Sequence, residues 1–161
     1  MSEEWADSDF KQRIVLGRAC EDAVAQAFIA AGLEVYVPPL KIRPNFEERA
    51  EYRDKRDMLV NGQEIEVKST SRPFLTPDDW PFDLFLVDTA EKIESKGVPL
   101  AFVVISQVTS KMFVIPGKTR PHWEVFTGND KKRGIGVAWL ACRKTHLRTF
   151  SELVEHLRKM L

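Results

Sequence analysis

Asp57, Glu66 and Lys68 have the residue types and the spacing to hold a hard cation and act beside it. They lie in Arg56-Asp57-Met58-Leu59-Val60-Asn61-Gly62-Gln63-Glu64-Ile65-Glu66-Val67-Lys68. Asn61-Gly62 is a strong hairpin signal, because both residues tolerate positive φ and fit a two-residue type I′ turn. With that loop, Val60 faces Gln63, Leu59 faces Glu64, Met58 faces Ile65 and Asp57 faces Glu66. Directly opposed residues share a sheet face, with Cβ atoms about 4.5–5.5 Å apart. Lys68, two residues past Glu66, falls on that face as well. The register therefore predicts two carboxylates side by side, with an ammonium one step along.

Opposed carboxylates repel and weaken a sheet unless positive charge lies between them. A divalent cation that prefers oxygen ligands, such as Mg²⁺, suits that position. The competing reading is a solvated hairpin with an ordinary charged outer face. A register slip of one residue would send the carboxylates to opposite faces.

The segment resembles the PD-(D/E)XK nuclease superfamily, the restriction-endonuclease-like fold. Asp57 matches its strand aspartate, and Glu66-Val67-Lys68 its Glu-x-Lys. Gly17-Arg18-Ala19-Cys20-Glu21 looks like the first-helix element whose Glu joins the metal site. The likeness covers about the first half of the chain, and Arg56, not Pro, precedes Asp57. It implies an α/β fold with a mixed central β-sheet flanked by helices. It also implies a Mg²⁺-dependent nuclease, with Mn²⁺ able to substitute, hydrolysing phosphodiester bonds, most naturally in DNA. The catalytic set would be Asp57, Glu66, Lys68 and Glu21. Asp57 and Glu66 would ligate the metal, joined by the Val67 carbonyl and by Glu21, directly or through water. An ammonium among carboxylates stays protonated, which favours an electrostatic role for Lys68 over a general-base role. Arg56 and Arg72 are candidate contacts to DNA phosphates. Gly17, one turn before Glu21, would let the first helix lie close to the sheet. Dimers are common in the resembled family, so a homodimer is expected. Two other readings stand beside this one: a non-catalytic DNA-binding or assembly module that keeps the fold, and a structural protein without a nucleic-acid partner.

Size and composition agree with a single domain spanning 1–161. The apolar share is 43% and the charged share 30%, ordinary for a globular protein. No apolar run nears the ~20 residues that span a bilayer, so no membrane partner is expected. The acidic start, Met1-Ser2-Glu3-Glu4-Trp5, has no apolar signal core. Cys20 and Cys142 sit in apolar patterns and read as buried reduced thiols, which fits a cytoplasmic protein. The 24 basic and 24 acidic residues cancel, which excludes an overwhelmingly basic nucleic-acid binder but not a dipolar surface. Basic clusters at Arg49-Arg53-Lys55-Arg56, Lys118-Arg120, Lys131-Lys132-Arg133 and Arg143-Lys144-His146-Arg148 read as solvated turns or as backbone contacts to DNA.

The elements follow from periodicity and punctuation. Phe10–Ala31 reads as an amphipathic helix, capped by Ser8 and stopped by Gly32, with Ile14, Val15, Ala19, Ala23, Ala27 and Phe28 inward. Glu21 borders that stripe. Leu33–Val37 is a short strand, residues 40–52 a loop or excursion, and the hairpin follows to Thr70. Thr76-Pro77 starts a helical turn. Strands are expected at Phe82–Val87, Leu100–Ser106, Met112–Ile115 and Gly136–Cys142. A short helix spans Thr89–Lys96. Thr149 and Glu152 form a capping box for a last helix to Leu161. Trp80, Trp123 and Trp139 read as core or rim residues. His122, His146 and His156 show no metal-ligand spacing.

Overall fold

The computed structural model describes residues 3–38, 56–130 and 134–160. The expected loop at 40–52, the basic residues Arg49, Arg53 and Lys55, and the Lys131-Lys132-Arg133 cluster lie outside the described residues. So do the side chains of Trp5, Ser8 and Ile14.

A long helix α1 (Glu3–Ala30) precedes a two-residue strand β1 (Val35–Tyr36). The hairpin strands are β2 (Met58–Val60) and β3 (Gln63–Thr70). Strand β4 (Leu84–Thr89) runs into helix α2 (Ala90–Lys96). Then come β5 (Ala101–Ser106), β6 (Met112–Pro116), β7 (Glu124–Asp130), β8 (Gly134–Arg143) and β9 (Arg148–Thr149). Helix α3 (Phe150–Lys159) closes the described chain, and Thr149 and Glu152 form the expected capping box at its start.

Six strands form a mixed sheet in the order β1-β2-β3-β5-β6-β9, in which β3 and β5 are parallel and the other neighbours antiparallel. This is the mixed α/β architecture the sequence implied. A second, three-stranded antiparallel sheet, β4-β8-β7, was not foreseen. No expectation covered β7, whose Glu-Val-Phe-Thr-Gly-Asn-Asp run lacks a sustained apolar alternation.

Strand β5 sits at the centre, and all six of its residues are buried. Its alternating side chains serve two cores. Ala101, Val103 and Ile105 meet α1 and α3 through Cys20, Val24, Phe28, Leu153 and Leu157. Phe102 and Val104 face the small sheet and α2 through Phe85, Val87, Ile93 and Cys142. Phe113 is fully buried there, with the rings of Phe74, Trp80 and Phe85 at 4.7, 5.8 and 5.3 Å. Trp80 and Trp123 are core residues, and both cysteines are buried and unbridged. Among the described residues no helix is long and apolar enough to cross a membrane.

Helix α1 departs from expectation in two ways. It begins at Glu3 rather than Phe10, so Ser8 lies inside it and not at its cap; acidic residues in a first turn favour such an early start. Its buried side is Cys20, Val24, Ala25 and Phe28, whereas Val15, Ala19 and Ala23 are exposed, Val15 by 69%. Phe28 is buried as expected, but Ala19 and Ala23 lie one residue, or about 100°, off the buried Cys20 and Val24. Apolar residues lie all round this helix, so periodicity alone did not select a face. The true face carries Glu21 in line with Ala25, one turn on, at the edge of the sheet. A side chain at Gly17 would touch nothing within 4 Å, so this glycine does not serve a close approach.

Candidate active site

The hairpin turn is built as the dipeptide demands: Asn61 and Gly62 have φ of 49° and 80°. The register is Val60–Gln63, Leu59–Glu64 and Met58–Ile65. The expected fourth pair, Asp57 with Glu66, is not part of the ladder, because Asp57 stands one residue before β2. In a two-residue hairpin the hydrogen-bonded pairs are 60/63 and 58/65, so a continued ladder would give the Val67 N–H to residue 56. The Asp57 carboxylate takes it instead, with Oδ2 2.7 Å from the Val67 nitrogen.

That substitution opens a notch beside β3. The carbonyls of Glu64 and Thr70 accept from Leu100 and Gln107, so even-numbered residues of β3 turn their backbone toward β5. Odd-numbered ones turn toward β2, which has ended by Val67. The Val67 carbonyl therefore points to the same side as its N–H, into the space beside Asp57.

Glu21 reaches this notch from α1 and comes up against the Asp57 carboxylate. Burial, and then the charge of Asp57, push the Glu21 carboxyl up to about 7, against the opposing pull of Arg18 at 3.4 Å. Asp57 is likewise raised above the usual range, first by burial and then by the Glu66 charge, although the Val67 amide, Lys96 and Lys68 act against the rise. The two groups thus form a carboxylate pair short of positive charge.

Glu66 and Lys68 leave β3 on the face that carries Phe102 and Val104. Glu66 is 6% exposed and is bound by Arg56 Nη1 at 3.1 Å and Lys96 Nζ at 3.3 Å, both at Oε1. Arg56 also donates to the Lys96 carbonyl at 2.7 Å and lies 3.5 Å from Glu64. Its side chain is only 8% exposed, so this guanidinium is engaged inside the protein rather than reaching outward to a phosphate. Lys68 Nζ is 2.6 Å from Asp88 Oδ2. Burial works against the Asp88 charge, but Lys68, the Thr89 N–H and Lys92 together outweigh it and hold the carboxyl below the usual range. Arg72 lies at the exposed end of β3 with its guanidinium over the Phe82 ring at 4.7 Å.

A solved structure of a bacterial homing endonuclease is similar to this chain at 14% identity and a TM-score of 0.49, over 89% of each chain. No family model and no curated protein sequence matches the chain.

The fold thus brings Glu21, Asp57 and the Val67 backbone to one notch, and Glu66 and Lys68 to the adjoining face. Among the described residues, no group of three or more His, Cys, Asp or Glu side chains is placed to hold a metal ion. The chemistry of the donors at the notch is of the type a hard cation prefers. It is all oxygen, and positive charge there would offset the carboxylate charge that helps to raise both Glu21 and Asp57. Both cations on Glu66 reach one oxygen, which leaves Oε2 as a further donor. Sequence reasoning missed Asp88 and Lys96. Neither carries a motif: Asp88 is a polar residue at a strand end and Lys96 a last-turn helix lysine, and only the packing of β4 and α2 against β3 brings them in.

Proposed function

We propose that this chain is a Mg²⁺-dependent nuclease of the PD-(D/E)XK type, a phosphodiester hydrolase whose best-fitting substrate is DNA. The observation that supports this most is the meeting of Glu21 with Asp57. A helix glutamate and a hairpin aspartate converge beside a Glu-x-Lys strand, and burial and then neighbouring carboxylate charge push both carboxyls up. Asp57, Glu21, Glu66 and the Val67 carbonyl would hold the metal. When bound, Mg²⁺ (or Mn²⁺) polarises the phosphate and lowers the pKa of a ligated water. Asp57 is oriented by the Val67 amide, and Glu66 is held by Arg56 and Lys96. Lys68 presents its ammonium to the charge that develops on the phosphate. Arg72, exposed at the end of β3, is the candidate contact to the DNA backbone.

One observation favours a second reading. Glu66 already has two cationic partners, as in a site that keeps the fold and binds DNA without cutting it. Plasmid nicking with and without Mg²⁺, alongside a gel shift in Ca²⁺, separates the two. Mg²⁺-dependent nicking supports the nuclease. A shift without nicking supports the binding module, and neither signal rejects both. A second copy of the chain, supplying the other strand's cut, is part of the nuclease reading and is checked by sedimentation of the protein with and without DNA.

A further inference from the structure

Asp88 has no place in the motif that marked the site, yet the fold goes out of its way to aim it there. Along β4, Phe85 and Val87 are buried at 8% and 2%, and Leu86 between them is 43% exposed. A strict two-residue period would turn Asp88 outward with Leu86. It is instead 7% exposed. The cause is a bulge: Leu86 pairs with Ala141, the next pair is Asp88 with Leu140, and Val87 is the extra residue. Bulges re-aim side chains at the cost of a disrupted ladder.

The re-aimed carboxylate is held at both oxygens. Oδ1 accepts from the Thr89 N–H at 2.8 Å, and Oδ2 faces Lys68 Nζ at 2.6 Å. Thr89 is itself fixed as the cap of α2, accepting from the Lys92 N–H at 3.3 Å. The ring of Phe102 adds a second contact, 5.9 Å from the Lys68 nitrogen. Lys68 remains 26% exposed, so the ammonium is anchored from within while part of it still faces solvent. A free lysine would lose rotamer freedom on being ordered. Here that ordering precedes any substrate. A buried ion pair is poor evidence of stabilisation in itself, which leaves the placement of Lys68 as the consequence of this arrangement.

We propose that Asp88 is a positioning residue for Lys68, holding the ammonium where a phosphodiester oxygen will gain charge. This rests on the nuclease reading above. It adds a residue that acts through another and touches neither metal nor substrate.

The test is a double-mutant cycle of Asp88→Asn with Lys68→Met, assayed by Mg²⁺-dependent cleavage of a duplex. Asp88→Asn lowers kcat by about 10–100-fold, with KM for DNA, Ca²⁺-supported DNA affinity and half-maximal Mg²⁺ unchanged. In the Lys68→Met background it lowers kcat no further. Asp88→Glu, which keeps the charge but displaces it, shows the same dependence on Lys68 and serves if Asp88→Asn does not fold. Independently of turnover, the ¹⁵N-detected Lys68 ammonium protons exchange slowly in the parent and quickly in either Asp88 variant. Parent-like kcat in the Asp88 variants, or an equal loss in both Lys68 backgrounds, overturns the proposal. A parent protein that leaves DNA uncut overturns the nuclease reading instead, and the ammonium exchange then decides whether Asp88 orders Lys68 at all.

Discussion

Glu21 and Asp57, at the α1 side of the hairpin, contrast with Glu66 and Asp88, which face the small sheet a few residues away. The first two are raised, Glu21 by burial and the Asp57 charge and Asp57 by burial and the Glu66 charge, against the positive charge within reach. The second two are paired, Glu66 with Arg56 and Lys96 and Asp88 with Lys68. All four are carboxylates in one small region, and their sequence neighbours do not distinguish them. The difference is the counter-charge each receives from elements far away in the chain. It marks where the fold lacks a cation and where it already provides one.

The largest expected effect is on catalysis. Asp57→Ala, Glu66→Ala and Lys68→Ala should each lower cleavage on the order of 10²–10³-fold, with circular dichroism unchanged. If all three cut a plasmid at the parent rate, neither half of the site is catalytic and the comparison loses its functional meaning.

The paired half should be brittle. Arg56→Ala leaves Glu66 buried with Lys96 as its remaining partner, and breaking a buried pair costs about 3 kcal/mol. Urea unfolding of the metal-free protein measures this. A midpoint equal to the parent's would mean that Arg56 does not support Glu66.

The unpaired half should respond the other way. Glu21→Gln removes a charge from a crowded pair, so stability in metal-free buffer should hold or rise, while the Mg²⁺ concentration needed for half-maximal cleavage should rise by roughly 10-fold. An unchanged Mg²⁺ dependence would return Glu21 to an ordinary helix glutamate and leave a site built on Asp57 and Glu66.

The smallest effect is a slope with pH, and it has opposite signs in the two halves. The Glu21 carboxyl titrates near 7 when folded and near 4.5 when unfolded. Between those values the folded state binds more protons, so metal-free stability should fall as pH rises through that window. Asp88 is lowered from 3.8, so its contribution is present above that value and is lost as pH falls below it. Melting temperatures of the parent and Glu21→Gln across pH 4.5–7 isolate the first slope; equal slopes in the two proteins would mean that Glu21 does not titrate there.

Much of this protein was legible in its sequence, and for local reasons. Asn61-Gly62 set the turn, and the turn set the register of β2 and β3, because a two-residue loop leaves one way to align the strands. Thr149 with Glu152, and Thr89 with Gly97, bounded α3 and α2 through hydrogen bonds that close within a few residues. The β-branched run at 101–106 announced the central strand. The buried side of α1 was legible only at Phe28, since apolar residues lie all round the helix and only contact with β3 and β5 chooses Cys20 and Val24 over Ala19 and Ala23. Nor was the small sheet, whose strand β7 gains its partners from β8. The resemblance read from the sequence also named Asp57, Glu66, Lys68 and Glu21 as candidates. Which of them would be paired was decided by tertiary structure alone, because charge compensation acts through space: Lys96 comes from α2, and a single extra residue in β4 turns Asp88 inward to Lys68.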